Sequence, residues 1–301
     1  AINANAFEEC SDVYSALVFK ESDGEILFEN RSDNISYPAS LVKVMTLYLT
    51  FEALENNKIS MDQNLTVSGR GEEIARINKI NTLKLKQGDK ITVKQAIGAV
   101  IVKSFNEAAV TLAEGVAGDE WEFARKMNEK ARELKMLNTS FRNASGLHEE
   151  GQYTTSYDLA RLVKAIKQDF PEYYKLFSLK EFTYKNKKYE THNYVLLDYK
   201  GAEGMKTGFT NAAGFNLISS ATKNNDRIFS ILLGCAAPEK RNDFTMQLLD
   251  DGFAKLSDND DKKSNYFTCN NSPYNRHRFA SCLYISFIIF HVFYHFSSKG
   301  S

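Results

Sequence analysis

The chain is poor in the side chains that announce metal chemistry. Of its 301 residues four are cysteine and five histidine. Cys10, Cys235, Cys269 and Cys282 make no close pair along the sequence and no metal-ligand spacing, and no two histidines fall in an H-E-x-x-H pattern. No metal centre is expected. Charge of one sign is missing as well: Lys+Arg 38 balances Asp+Glu 38, so nothing electrostatic argues for a nucleic-acid partner. No internal repeat is apparent. What is present is ordinary globular material, 43% hydrophobic and 25% charged, long enough for one large domain or two modest ones.

Secondary-structure signals divide by position. Tyr14 to Phe19 and Ile26 to Glu29 read as strands joined by the turn Ser22-Asp23-Gly24. Leu65 to Val67, Thr82 to Lys86 and Ile91 to Val93 read as further short strands. Val93 to Val102, Ala108 to Ala117, Glu120 to Leu134 and Ser156 to Gln168 carry the i, i+3, i+4 apolar spacing of helices. An aromatic hairpin follows around Lys185-Asn186-Lys187. Gly204 to Thr210, Gly214 to Thr222 and Arg227 to Cys235 read as successive antiparallel strands, and Phe244 to Leu256 as a closing helix. Strands at both chain ends with helices between predict an α+β fold. In it one antiparallel sheet draws on both ends, flanked by helices, with a helical region inserted.

Three short motifs carry the chemistry. Ser40-Leu41-Val42-Lys43 opens an apolar helix, and the spacing puts serine and lysine on one face. The helix start adds positive potential and unpaired N–H groups. By itself S-x-x-K also describes a capped surface helix. Ser104-Phe105-Asn106 lies between two helix-like stretches, and Lys206-Thr207-Gly208 sits in a strand. The order S-x-x-K, S-x-N, K-T-G is the signature of active-site-serine penicillin-recognising enzymes.

With these motifs, and with Tyr37-Pro38-Ala39-Ser40, Asn143-Ala144-Ser145-Gly146-Leu147, Gly151-Gln152-Tyr153-Thr154-Thr155 and Lys206 to Gly214, the chain resembles the low-molecular-weight penicillin-binding proteins. Within them it resembles the D-alanyl-D-alanine carboxypeptidases of the serine S11 type, from about Val13 to about Phe253. The resemblance implies a β-lactamase/transpeptidase-like fold and no cofactor. It implies removal of the terminal D-alanine from peptidoglycan stem peptides ending in D-Ala-D-Ala, with β-lactam antibiotics as covalent inhibitors.

It also implies roles. Ser40 is the nucleophile and Lys43 its base, which burial or a neighbouring cation such as Lys206 must keep neutral. Ser104 relays a proton and Asn106 holds Lys43 or the substrate amide. Lys206 and Thr207 bind the substrate carboxylate, Gly208 admits its backbone, and the N–H groups of Ser40 and Phe209 form the oxyanion hole. Arg241 falls where the family has a carboxylate-binding arginine. Phe105 departs from the glycine common at that position and is expected to pack away from the cleft. His148 is read as a loop residue. Two alternatives stand beside this reading: a β-lactamase on the same scaffold, using Glu149 or Glu150, and a catalytically silent cell-wall-binding homologue.

The two ends of the chain differ from the rest. Ala4-Asn5-Ala6 is read as the end of a secretory signal peptide, or else as an incidental alanine-bearing tail. Residues 7–257 are expected to form the carboxypeptidase domain, in an extracytoplasmic compartment. Ser257 to Lys263 reads as a polar linker. Residues 258–301 form an atypical tail with no recognisable domain and no acidic residue beyond Asp261. Its apolar run 279–296 reads either as a membrane-spanning or interfacial anchor or as sequence foreign to the domain.

Overall fold

A computed structural model of the chain describes residues 10, 14–77 and 81–270, with side chains described as far as 258. The segments Ala4-Asn5-Ala6 and 279–296 lie outside the described residues. The chain divides into two units, Ala1–Phe253 and Ala254–Ser301, and everything that positions the site lies in the first.

Its centre is a five-stranded antiparallel sheet. β1 (Ser15–Lys20) and β2 (Ile26–Asn30) form the N-terminal hairpin. β7 (Ala202–Thr210), β8 (Gly214–Lys223) and β9 (Asp226–Cys235) form a C-terminal meander. The order is β2-β1-β9-β8-β7, with β1 pairing β9 from Ser15↔Leu233 to Lys20↔Ile228. Both ends of the chain therefore share one sheet, as the sequence predicts, and β7 is left as an edge strand. Cys10 and Cys235 are joined by a disulfide across a sequence separation of 225 residues. Spacing along the chain gave no sign of this pair; the closure of the sheet brings it together.

Between the terminal strands lie the helices. α1 (Val42–Glu55) is buried on every side, from Val42 through Phe51 without a break. A helix apolar all round belongs in the core rather than on a face, and this one carries Lys43 inside with it. β3 (Asn64–Thr66) pairs with β4 (Lys90–Thr92), and α2 (Gly69–Ile77) lies between them in sequence. α3 (Val93–Lys103) begins with a capping box made by Thr92 and Gln95. α4 (Asn106–Ala117), α5 (Glu120–Glu133) and α6 (Ser156–Asp169) follow. α5 and α6 start at side-chain caps supplied by Asp119 and Thr155. The short helix α7 (Pro171–Tyr174), the hairpin β5 (Glu181–Tyr184) and β6 (Lys187–Glu190), and α8 (Tyr194–Asp198) lead back to the sheet. α9 is Pro238–Asn270.

Some elements depart from the sequence reading. Thr82 to Lys86 is not a strand. Lys84 has φ +58°, and the Leu83 N–H donates to the Glu107 carboxylate (2.6 Å), so that stretch is tied to a side chain rather than to a ladder. Val93 belongs to α3, because the Thr92 cap ends the strand there. The polar stretch Ser257 to Lys263, read as a linker, is helical, and the closing helix starts at Pro238 rather than Phe244. Proline at a first helical position loses no hydrogen bond, which the apolar pattern could not reveal. α2, α7 and α8 leave no clear periodic signal in the sequence, because each is short or predominantly polar.

Candidate active site

Ser40 lies in a single 3-10 turn, Ala39–Leu41, that feeds directly into α1. It caps nothing: the residue at the α1 N-cap is Leu41, with no side-chain bond. The turn is held under constraint. Ala39 has φ +48°, in the left-handed region that alanine rarely occupies. Its carbonyl presses on Gly146, where a Cβ would stand 1.9 Å from the Ala39 oxygen. Asn216, in β8 and fully buried, donates from Nδ2 to the carbonyls of Tyr37 (3.0 Å) and Pro38 (3.2 Å). Its Oδ1 accepts from the Gly234 N–H at 2.8 Å. One side chain thus ties the serine turn to two central strands.

Lys43, 0% exposed, turns back one helical step to Ser40. Its Nζ lies 2.9 Å from Ser40 Oγ and 2.6 Å from Asn106 Oδ1, and it also donates to the carbonyl of Ser145. These partners suit an ammonium with three N–H bonds as well as a neutral amine with two, and burial is what favours the neutral form. Asn106 Oδ1 and the Ser145 carbonyl can only accept, so they take two N–H bonds. If the amine is neutral, its lone pair has one partner able to donate, the Ser40 hydroxyl. Burial is the main force lowering the Lys43 pKa well below its ordinary value; the Lys206 charge adds to it and Glu107 opposes it. The arrangement is a serine whose proton has a basic nitrogen to go to.

The second wall is the joint between α3 and α4. α3 ends at Ser104 with φ +61°, and Ser104 and Phe105 send their N–H groups back to Val100 and Ala99. That reversal turns Ser104 and Asn106 toward the cleft, while Phe105 is buried against β5–β6 beside Phe182 and Tyr189 at 6.2 and 5.6 Å between ring centroids. Phe105 does pack away from the cleft, as expected from the sequence.

The third wall is β7. Lys206, 1% exposed, donates to Ser104 Oγ and to the Thr207 carbonyl, both at 2.8 Å, and so lies behind the cleft surface rather than on it. Burial, aided by the Arg241 charge, lowers its pKa to about 7. Gly208 runs close to the serine turn: a Cβ there would be 3.2 Å from Ser40 N. Phe209 is 49% exposed and stacks on Phe215, its partner in the β7–β8 register, at 4.3 Å. Arg241, near the start of α9, is buried, makes no ion pair among the described residues, and donates to Asn242 Oδ1.

These walls enclose a cleft of about 720 Å³, lined among others by Ser40, Ser104, Asn106, Thr207, Phe209 and Arg241. All nine residues singled out from the sequence therefore converge, seven on the cleft surface and the two lysines just behind it. His148 stands outside, edge-on to Tyr37. Glu149 and Glu150 are exposed, and Glu149 accepts from Asn143 Nδ2 at 2.9 Å, bracing its loop rather than facing Ser40. Sequence reasoning missed Asn216, the Ser145 carbonyl and His192. The last lines the cleft with Nε2 2.9 Å from Thr207 Oγ1. A backbone carbonyl leaves no mark in a sequence, and a lone histidine or asparagine outside a motif carries none.

Fold and site together bring a serine and a buried lysine within hydrogen-bond reach at the edge of one cleft. The chain belongs to the D-alanyl-D-alanine carboxypeptidase family, whose model matches residues 5–237. It is 34% identical to the D-alanyl-D-alanine carboxypeptidase DacF of Bacillus subtilis, over 82% of this chain and 64% of that protein. It is 35% identical to DacC of Escherichia coli, over 80% and 61%. The chain thus spans less than two thirds of the length of these relatives. Among solved structures, penicillin-binding protein 5 of Haemophilus influenzae superposes with a TM-score of 0.76 at 33% identity, over 80% of this chain and 70% of that one. Penicillin-binding protein D2 of Listeria monocytogenes, in its ampicillin-bound form, superposes with 0.69 at 32% identity, over 79% and 96%.

Proposed function

We propose that the chain is a serine-type D-Ala-D-Ala carboxypeptidase that releases the terminal D-alanine of peptidoglycan stem peptides. The observation that carries this is the partner set of Lys43: two acceptors that cannot donate and one hydroxyl that can. Ser40 Oγ attacks the carbonyl between the two D-alanines as its proton passes to Lys43 Nζ. The N–H groups of Ser40 and Phe209 receive the oxyanion. The C–N bond then breaks. The departing amine takes a proton from Ser104, whose oxygen Lys206 holds in place. Ser104 is reprotonated by the proton that Lys43 took from Ser40, which leaves Lys43 neutral again. Water hydrolyses the resulting ester and frees Ser40. Thr207 donates to the substrate carboxylate, and Lys206 and Arg241 surround it with positive charge.

β-Lactams present the same carbonyl and carboxylate and acylate Ser40 in the same way. A relative was crystallised in an ampicillin-bound form, which supports this. The β-lactamase alternative loses ground because neither Glu149 nor Glu150 is among the residues lining the cleft, and Glu149 is engaged by Asn143. The Cys10–Cys235 disulfide favours an oxidising, extracytoplasmic compartment. Among the described residues no helix is long and apolar enough to cross a membrane.

The direct test is release of D-alanine from diacetyl-Lys-D-Ala-D-Ala. Wild type releases it and Ser40→Ala does not. A wild type that binds penicillin covalently yet frees no D-alanine contradicts the proposal.

A further inference from the structure

Thr207 carries one hydroxyl proton, and two groups compete for that hydroxyl. A substrate carboxylate is acceptor-only. His192 Nε2 lies 2.9 Å from the same oxygen and either donates or accepts, according to its tautomer. If Nε2 is bare, Thr207 spends its proton on the imidazole and presents only lone pairs to an incoming anion. If Nε2 bears hydrogen, Thr207 must turn its proton outward.

The chain holds His192 where this choice matters. Thr191 is anchored by its N–H to the Lys180 carbonyl at 2.7 Å. Asn193 is anchored to Thr191 Oγ1 and caps α8 through Leu196 N at 3.3 Å. The ring between these fixed neighbours lines the cleft. Burial, reinforced by Lys206, Lys103 and Arg241, lowers its pKa to about 3. It is therefore a neutral imidazole with a single N–H to place.

We infer that His192 is a positioning residue whose Nε2–H donates to Thr207 Oγ1, so that the Thr207 hydroxyl proton is reserved for the carboxylate of the substrate. This rests on the carboxypeptidase reading. It makes His192 a determinant of selectivity for peptides with a free C-terminus rather than of acyl transfer as such.

The test compares two substrates on one enzyme: diacetyl-Lys-D-Ala-D-Ala and diacetyl-Lys-D-Ala methyl ester, which lacks the carboxylate. His192→Leu should lower kcat/KM for the peptide about 10- to 100-fold more than for the ester, the scale of one hydrogen bond to a charged group. His192→Gln, which keeps an N–H donor, should restore part of that difference. Thr207→Val should show the same substrate split and add little when combined with His192→Leu. Equal losses on both substrates overturn the inference and leave the carboxypeptidase reading standing. A wild type without D-alanine release overturns that reading, and the inference with it. Should the variants not fold, 15N NMR of the imidazole in Ser40→Ala loaded with the peptide decides. Hydrogen on Nε2 is expected, and hydrogen on Nδ1 alone contradicts the inference.

Discussion

Lys43 and Lys206 illustrate how burial rather than residue type sets function at the scale of single side chains. Both are lysines with almost no exposure, and in both desolvation is the leading force on the pKa. The proposed mechanism needs them in opposite states. Lys43 must be neutral to take the Ser40 proton, so lowering the pH through its pKa removes activity. Lys206 must be charged to favour a carboxylate, so raising the pH through about 7 discharges it and weakens capture of the substrate. The kcat/KM of D-alanine release is therefore expected to fall on both sides. A bound carboxylate stabilises the Lys206 cation, so the basic limb in kcat lies at higher pH than in kcat/KM. Because the Lys206 charge helps hold the Lys43 pKa down, Lys206→Met should move the acid limb of penicillin acylation to higher pH. A pH–rate series on the two proteins checks both points; an acid limb unmoved in the variant contradicts the coupling.

At the scale of elements, the site is made by ends and joints: a 3-10 turn before α1, the left-handed residue between α3 and α4, and the edge strand β7. Phe105 shows what such a joint requires. Its ring fills a pocket against Phe182 and Tyr189, so Phe105→Ala should destabilise the protein by about 3–5 kcal/mol, measurable by urea unfolding. Penicillin labelling of the folded fraction should change far less. Gly146 marks a different demand. A Cβ there would overlap the Ala39 carbonyl, and its φ of +80° already disfavours any side chain. Gly146→Ala should cost about 1–3 kcal/mol in strain and slow acylation by displacing the serine turn; acylation at the wild-type rate contradicts the contact. The sequence made the long elements legible because their apolar periods are strong: α1, α3 to α6 and the meander β7–β9 fall within a residue or two of where the pattern puts them. Thr82 to Lys86 misled because alternating Leu83 and Leu85 look like a strand, whereas Glu107, distant in sequence, claims its backbone. The catalytic motifs were readable because they are local. Asn216, which ties the serine turn to β8 and β9, was not, because its partners lie 18 to 179 residues away.

Over the whole molecule, the sheet couples the two ends of the chain, and the serine turn depends on that closure. Cys235 ends β9 next to Gly234, whose N–H holds Asn216 against that turn. Cutting the disulfide by Cys10→Ser should lower stability by roughly 2–4 kcal/mol, read as a drop in Tm that reducing agent reproduces in wild type but not in the variant. Equal sensitivity of both proteins to reductant contradicts a stabilising role for this bond. The central claim, that Ser40 is acylated with Lys43 as its base, is tested most directly by time-resolved intact-mass measurement with benzylpenicillin. The account predicts one added penicillin per chain, located on the peptide bearing Ser40, absent in Ser40→Ala and formed at least about 100-fold more slowly in Lys43→Met, the low end for a positioned general base. A label on another residue, or an undiminished rate in Lys43→Met, contradicts it.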